Sequence, residues 1–355
     1  MPDATHTNSM LRFSAETLRA QILAVFGAWG MSPGDAEAAV EVMVETDLSG
    51  IDSHGIGMLP HYQRIYAEGT LNPRPDTKVL NDRPSTALVD ADHGLGHPAS
   101  VLAMKLAIEK AKATGVGVVG VTRSNHYGAA GWYAQMASKE GLIGLSLTNS
   151  SALAVPLFGK AAMLGTNPIA FAAPAVENPD FLLDMATTTV AYGKVSIARR
   201  EGKVLPVGWA LNADGRPETD AQVASDERRL SPLGGTRPLG GHKGYGLATM
   251  VEILCATLTG ADLSAKQTGH FFLVIDPGSF REGFREEMDE LLNRLRDTPR
   301  ADPDVPVLIP GDPEYAAHKK RLVEGIPVTD TLQGEVRAAA EACGAPFLLL
   351  PEAAL

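Results

Sequence analysis

Only two cysteines, Cys255 and Cys343, occur in 355 residues, and each lies in an apolar or alanine-rich segment. That excludes a disulfide scaffold and a thiolate metal cluster, and it fits a reduced, cytoplasmic protein. Positive charge is also scarce: 31 Lys and Arg against 42 Asp and Glu give a net charge of -11, with no basic stripe interleaved with aromatics. Nucleic acid is therefore not an expected partner. Nowhere does the chain offer the run of about eighteen apolar residues that a membrane helix needs. Its start, "MPDATHTNSMLRFS", lacks the basic flank and apolar stretch of a leader, so neither membrane nor export is expected. Internal repeats are missing too, and the 24 prolines and 36 glycines are scattered, which argues against fibrous or disordered architectures.

What is present is an ordinary globular composition, 45% hydrophobic, in a chain long enough for two domains. Ser14 and Ser32 are placed to cap two successive helices, the second with Pro33 at its first position. Leu18, Ile22, Val25, Phe26 and Trp29 would line the inner face of the first, and Val40, Met43 and Val44 that of the second. Little strand signal precedes residue 85 or so. Beyond it, "STALVDAD", "VGVVGVTR" and "LIGLSLTN" read as strands separated by helices near residues 98–113 and 128–139, and His126 falls at a strand end just before the second helix. Further strands are expected at "NPIAFAAP", "FLLDMATT", "HFFLVID" and "VPVLIP", with an apolar helix in "LGGHKGYGLATMVEILCATLTG". The organisation read from this pattern is a helical unit over 1–84, a central α/β unit over 85–300, and a segment over 301–355 that packs back on the body.

Two stretches imitate a dinucleotide fingerprint. "GVGVVG" at 115–120 lies inside a valine run and reads as the strand itself, whereas "GLGHPA" at 94–99 sits between a strand and a helix, where glycines would let a phosphate approach. No acidic residue ends the following strand, and Arg123 stands there instead, suited to a 2′-phosphate. His93 and His97 are four apart but have no third ligand at a metal-binding spacing, so no metal is expected; His97 reads as bonded to backbone in a turn.

The segments "DLSGIDSHGIGMLPHYQRI", "RSNHYGAAGWYAQMASKEGLIGLSLTNSSA", "LGTNPIAFAAP", "LLDMATTTVAYGKV", "GWALNADG" and "PLGGHKGYGLATMVEIL" together resemble the type-2 malate/L-lactate dehydrogenase family, which includes ureidoglycolate and sulfolactate dehydrogenases, diketogulonate reductases and cyclic-imine reductases. The resemblance runs from about residue 12 to 335. It implies a non-Rossmann, mostly antiparallel nicotinamide-binding α/β domain, a separate α-helical domain completed by the C-terminal segment, a homodimer, and NAD or NADP as cofactor.

It also implies a site. His54 of "DSHG" and His126 of "SNH" correspond to histidines that have each been regarded as the proton-transfer residue in different members. A group titrating near neutrality suits exchange of a proton with a substrate oxygen. His54 is assigned the proton, with Asp47 and Asp52 near enough in sequence to orient its imidazole and raise its pKa; His126 is assigned to holding the substrate. Ser53 and Arg123 would contact a small carboxylate substrate. Asn149 and Ser150, then Asp184, Met185 and Ala186, map onto cofactor-contacting segments. His242 and Lys243 would neutralise phosphate at a helix start, and Gly311 and Asp312 resemble a late cofactor loop. One departure bears on the substrate: Met58 stands where many relatives carry an arginine able to clamp a carboxylate. That shifts the expectation from malate toward a small 2-oxo acid and its 2-hydroxy partner, with a Δ1-piperideine-2-carboxylate type of cyclic imine as the alternative.

Overall fold

A computed structural model describes residues 10–261 and 267–350. The first nine residues, on which the expected absence of a leader partly rests, lie outside the described residues. In chain order the elements are β1 (Met10–Phe13), α1 (Ala15–Ala28), α2 (Pro33–Leu48), α3 (Leu59–Ala67), β2 (Lys78–Asp82), β3 (Thr86–Asp90), α4 (Gly96–Thr114), β4 (Val116–Ser124), α5 (Ala130–Ser138), β5 (Ile143–Thr148), β6 (Ile169–Ala173), β7 (Phe181–Met185), α6 (Tyr192–Arg200), β8 (Ala210–Leu211), β9 (Pro217–Glu218), α7 (Ala221–Glu227), α8 (Gly241–Glu252), β10 (Thr268–Ile275), α9 (Phe284–Arg296), α10 (Asp312–Glu324), β11 (Ile326–Thr329) and α11 (Asp330–Cys343).

The first two helices start where their caps require. Ser14 accepts the N–H of Thr17 at 3.1 Å and Ser32 that of Asp35 at 3.1 Å, satisfying donors that the helix leaves free. Leu18, Ile22, Val25, Phe26 and Trp29 are buried, as are Val40, Met43 and Val44. Their apolar core does not close on itself: it takes in Ile326, Val328, Val336, Ala340 and Leu349 from the far end of the sequence. Strand β1 pairs antiparallel with β11, Leu11 opposite Val328, an element missed by a reading that saw only helix there. Four residues are too few to display a period of two.

Seven strands form one sheet in the order β2, β3, β4, β10, β5, β6, β7. Every neighbouring pair is antiparallel except β3 with β4, which run parallel and are joined by α4 as a crossover. The sheet is thus mostly antiparallel, as expected. Helices α4 and α5 cover one face through a core that includes Ala103, Ala107, Tyr133, Ala134 and Phe272. On the other face Leu147 and Phe271 meet Val251 and Cys255 of α8 and the π-helical turn Ile253–Thr257 that prolongs it. Edge strand β2, "KVLND", is exposed throughout and carries a charge at each end, which discourages further pairing.

Both fingerprint-like stretches serve packing. A Cβ on Gly117 in β4 would lie 1.9 Å from the carbonyl oxygen of Ala107 in α4, so glycine lets helix and strand touch. At Gly96 it would lie 2.3 Å from the carbonyl oxygen of Asn125, where the Gly96 N–H donates to the carbonyl of His126 at 3.1 Å. The expected strand at "VPVLIP" does not form. Pro306 and Pro310 lack N–H donors, and the N–H of Ile309 is taken by the Asp312 carboxylate at 2.8 Å, leaving an irregular run that meets β7 through Leu182 N–H to Pro310 at 3.1 Å.

Candidate active site

Ser53 and His54 sit on the turn that follows α2. Beneath it lies Asp47, buried in the last turn of that helix, whose carboxylate accepts the N–H of Ile56 at 2.7 Å. A Cβ at position 55 would come within 1.9 Å of the same carboxylate, so Gly55 lets the turn rest on it. Burial, then the neighbouring Asp52, push the Asp47 carboxyl up to about 8. Asp52 itself faces away, its carboxylate paired with Arg321 of α10. The expectation that these two acids orient His54 and raise its pKa is therefore corrected. His54 shares a 2.7 Å hydrogen bond with the hydroxyl of Ser53, and burial lowers its pKa.

His126 lies between β4 and α5, its ring stacked against that of His54 with centroids 5.4 Å apart and planes inclined by 30°. Its Nδ1 shares a 2.7 Å hydrogen bond with the Tyr62 hydroxyl and accepts the Gly128 N–H at 3.3 Å. An Nδ1 that accepts leaves Nε2 to carry the proton, so the ring presents a neutral donor. Burial, and after it His54, hold His126 well below the usual imidazole range. Two stacked imidazoles disfavour charge on both at once.

His97 differs from its reading as a turn residue bonded to backbone. It occupies the first turn of α4, fully buried, with neither ring nitrogen partnered among the described residues and its pKa lowered to about 3 by burial. It meets Tyr62 edge to face at 5.6 Å, and a Cβ on Gly128 would come within 2.9 Å of its Nε2. His97 thus backs both groups that hold His126. Sequence spacing marks neither Tyr62 nor His97 as a site residue; Tyr62 stands eight positions after His54 with no chemical signature of its own.

Arg123 is not brought to the histidine pair. It adopts a left-handed backbone conformation, φ 50°, and its guanidinium is engaged by both carboxylate oxygens of Asp90. Arg64 is likewise occupied, by His61 at 2.9 Å and Glu68 at 3.7 Å, and Met58 packs against the N-terminal core.

The start of α5 leads from His126 to a cleft. The Gly131 N–H donates to Asp184 at 2.7 Å, and Asp184, Trp132, Gln135, Glu45 and Glu314 line a cavity there. The surrounding protein, then the charge of Glu314, push Asp184 up to about 6. Asp184 also borders a second depression with Gly311 and Pro313, so the β7 end and the late loop are brought together. Gly311, at φ 104°, backs onto Leu182, whereas Asp312 is spent on Arg296 at 2.7 Å and on the Ile309 N–H. Past Met185 and Ala186 the strip continues: Leu233 N–H donates to the Thr187 carbonyl at 2.9 Å, and a Cβ on Gly244 would fall 2.3 Å from the Leu233 nitrogen. His242 and Lys243, both exposed, lie on that first turn of α8, with His242 bonded to Arg237 at 2.8 Å. Asn149 and Ser150 border it differently. The Asn149 side chain joins Gly269 N–H to Glu252, and Ser150 is bonded to Thr166 and Asn167, so both side chains brace loops.

These features fit a ligand rich in hydroxyl, amide and phosphate groups. Among the described residues the indole N–H of Trp132 is buried in the cleft wall without a partner, and Asp184 lines the same cleft. Exposed His242 and Lys243 mark the far end of the strip. Among the described residues no cluster of three His, Cys, Asp or Glu side chains is arranged to hold a metal, and no helix is long and apolar enough to cross a membrane.

The family model for malate/L-lactate dehydrogenase matches residues 13–337. The chain belongs to the malate/L-lactate dehydrogenase family. It is an oxidoreductase. Malate dehydrogenase from Pyrococcus horikoshii is 40% identical over 346 residues, spanning 94% of this chain and 96% of that one. A Delta(1)-pyrroline-2-carboxylate/Delta(1)-piperideine-2-carboxylate reductase from Pseudomonas putida is 32% identical over 345 residues, spanning 93% and 98%. The solved structure of the P. horikoshii malate dehydrogenase superposes with a TM-score of 0.87 at 36% identity, covering 95% of this chain and 97% of that chain.

Proposed function

We propose that this family member interconverts a small 2-oxo acid and its 2-hydroxy acid with a nicotinamide cofactor. The observation that carries the proposal is the stacked His54 and His126 pair, joined through the start of α5 to the cleft at Asp184. Bound in that cleft, the nicotinamide would supply a hydride to the C2 carbon of the oxo acid or take one from the hydroxy acid. Asp184, Met185, Ala186 and Trp132 would hold its polar edge, Gly311 would shape the wall, and His242 with Lys243 would face phosphate; Asn149, Ser150 and Asp312 act by bracing the loops around it. His54, oriented by Ser53, delivers a proton to the substrate oxygen in reduction and removes it in oxidation. His126, with its Nε2 proton fixed by Tyr62 and Gly128, donates a hydrogen bond to the substrate oxygen or carboxylate.

Among the described residues Arg123 is paired with Asp90, Arg64 with His61 and Glu68, and Met58 packs partly buried against the N-terminal core, so neither arginine offers the histidine pair a free guanidinium for a second carboxylate. This supports a monocarboxylic substrate over malate. The same observation favours a second reading, reduction of a cyclic-imine-2-carboxylate, in which the proton goes to nitrogen. Because Arg123 is neutralised by Asp90, it is also a poor holder of a 2′-phosphate, and we favour NAD over NADP on that ground. A homodimer working in the cytoplasm, and the division at residues 84 and 300, complete the proposal.

Nicotinamide absorbance tests it directly, with NADH and NADPH crossed against pyruvate, oxaloacetate, branched 2-oxo acids and Δ1-piperideine-2-carboxylate. Turnover of monocarboxylic oxo acids with NADH is the expected outcome. Turnover confined to the imine replaces the first reading by the second, and oxaloacetate as the best substrate overturns the argument from Met58.

A further inference from the structure

Helix α10 reaches both halves of the candidate site. Glu314, His318 and Arg321 recur at spacings of four and three and so share one face of the helix. Glu314 lines the cleft beside Asp184. One turn on, His318 contacts Glu45 at 3.1 Å, and Glu45 lines the same cleft. At the other end Arg321, its side chain only 15% exposed, donates to the carbonyl of Asp47 at 2.7 Å and embraces both carboxylate oxygens of Asp52. Between them Ala317 packs against Gly50, where a Cβ would come within 3.0 Å. The turn bearing Ser53 and His54 is therefore held from below by Asp47 and from the side by one guanidinium. Without Arg321 the turn keeps the Ile56 to Asp47 hydrogen bond, its own His54 to Ile51 backbone bond and the Ala317 contact, and loses its charged lateral tether.

We infer that Arg321 is a positioning residue for Ser53 and His54, and that α10 ties their placement to the wall of the cofactor cleft. The contacts of Arg321 are the Asp47 carbonyl and the Asp52 carboxylate, so it acts through the turn rather than on the reacting groups. It fixes the backbone at Asp47 and the side chain of Asp52, and so sets where the imidazole of His54 can reach. Two charge-assisted bonds to one carboxylate define orientation as well as distance, which a single cation on a flexible stem would not. The inference rests on the reading of His54 as the proton-transfer residue.

The test compares Arg321→Ala, Arg321→Lys, Asp52→Asn and the Arg321→Ala/Asp52→Asn pair with His54→Ala and with Arg12→Ala, which cuts a different tether of the same helix, Arg12 to Glu324 and Gly325. Misplacement by about 1 Å can cost on the order of 100-fold in rate, so Arg321→Ala is expected to lose about 10- to 100-fold in kcat/KM for the oxo acid. Cofactor affinity, read by quenching of tryptophan fluorescence, should stay within about twofold because the cleft contacts remain. The solvent isotope effect on kcat should rise, as proton transfer becomes slow, and low concentrations of guanidinium should restore part of the rate. Asp52→Asn should add little to Arg321→Ala, and Arg12→Ala should behave as wild type. An inactive His54→Ala beside a fully active Arg321→Ala overturns this inference alone. Equal losses in Arg12→Ala and Arg321→Ala, or a loss accompanied by weakened cofactor binding and no change in isotope effect, overturn it in favour of simple helix docking. Full activity of His54→Ala overturns the reading of His54, and the role of Arg321 with it.

Discussion

Tyr62 and His126 are joined by a 2.7 Å hydrogen bond between the buried phenol and Nδ1 of the imidazole, although they come from different elements 64 positions apart. The phenol is pushed well above its ordinary pKa by burial, so it remains a neutral hydroxyl throughout the working pH range. With the Gly128 N–H on the same nitrogen, it selects one tautomer of His126. Removing the hydroxyl in Tyr62→Phe leaves only the 3.3 Å contact from Gly128. The expected result is a fall of about tenfold in kcat, corresponding to about 1.4 kcal/mol, and a mixed tautomer population in the nitrogen-15 spectrum of His126. An unchanged spectrum would contradict the tautomer assignment.

Activity should depend on pH in opposite senses for the two directions. Reduction needs the protonated acid and oxidation the free base. Burial lowers the pKa of His54, so the titration falls below the ordinary imidazole value of about 6.5. The rate of reduction, as kcat/KM, should drop as pH rises through that lowered value. Oxidation should climb over the same range and reach a plateau. A reductive limb that descends only above neutrality would point away from His54.

Acid stability follows from the interior histidines. His97 and His270 are both lowered to about 3 by burial. A depressed histidine binds its proton more readily in the unfolded chain, so the stability it contributes is full above about pH 6.5 and is lost as pH falls toward its folded value. Unfolding followed by circular dichroism should therefore begin below about pH 6.5. His97→Leu removes one of these groups together with two unpartnered nitrogens, and should move the acid midpoint downward. A midpoint unchanged from wild type would show that His97 is not among the groups that drive the transition.

Gly55 offers a steric test of the floor beneath His54. Gly55→Ala places a methyl against the Asp47 carboxylate, and overpacking of this kind costs about 1–3 kcal/mol. Thermal unfolding and turnover should both suffer. Adding Asp47→Ala opens the space and should recover part of the loss in melting temperature without restoring full turnover, because the Ile56 N–H then lacks its acceptor. Additive losses in the double variant would mean that the two residues do not compete for the same volume.

The sheet and the paired α1 and α2 were legible because their signals are local. Short apolar runs between helices and turns marked β3, β5, β6 and β10, and serine caps marked where the first helices begin. The ladder of β1 with β11 was not legible, since its partners are short and distant in sequence. The motifs "DSHG" and "SNH" single out His54 and His126, and the structure stacks them. What surrounds them depended on direction, which sequence spacing does not encode. Asp52 is two residues from His54 yet points to α10; Arg123 is three residues from His126 yet turns to Asp90; Asn149 braces loops. Tyr62, His97 and Arg321 entered only when three separate segments were folded against one another. The glycines at 96 and 117, which invite a phosphate-loop reading, answer instead to backbone carbonyls that press on them from other elements.

The pairing of Met10–Phe13 with Ile326–Thr329 sets an order on biosynthesis. Arg12 and its acceptor Gly325 are separated by 313 positions, so the ribosome must release the chain through Thr329 before the first strand can find its mate. During elongation the inward faces of α1 and α2 stay without their final cover, and the central sheet has time to assemble first. Translation arrest or truncation ahead of residue 326 should accordingly yield a nascent chain that binds chaperones through its N-terminal helices, while a circular permutant linking those two strands would let them meet early.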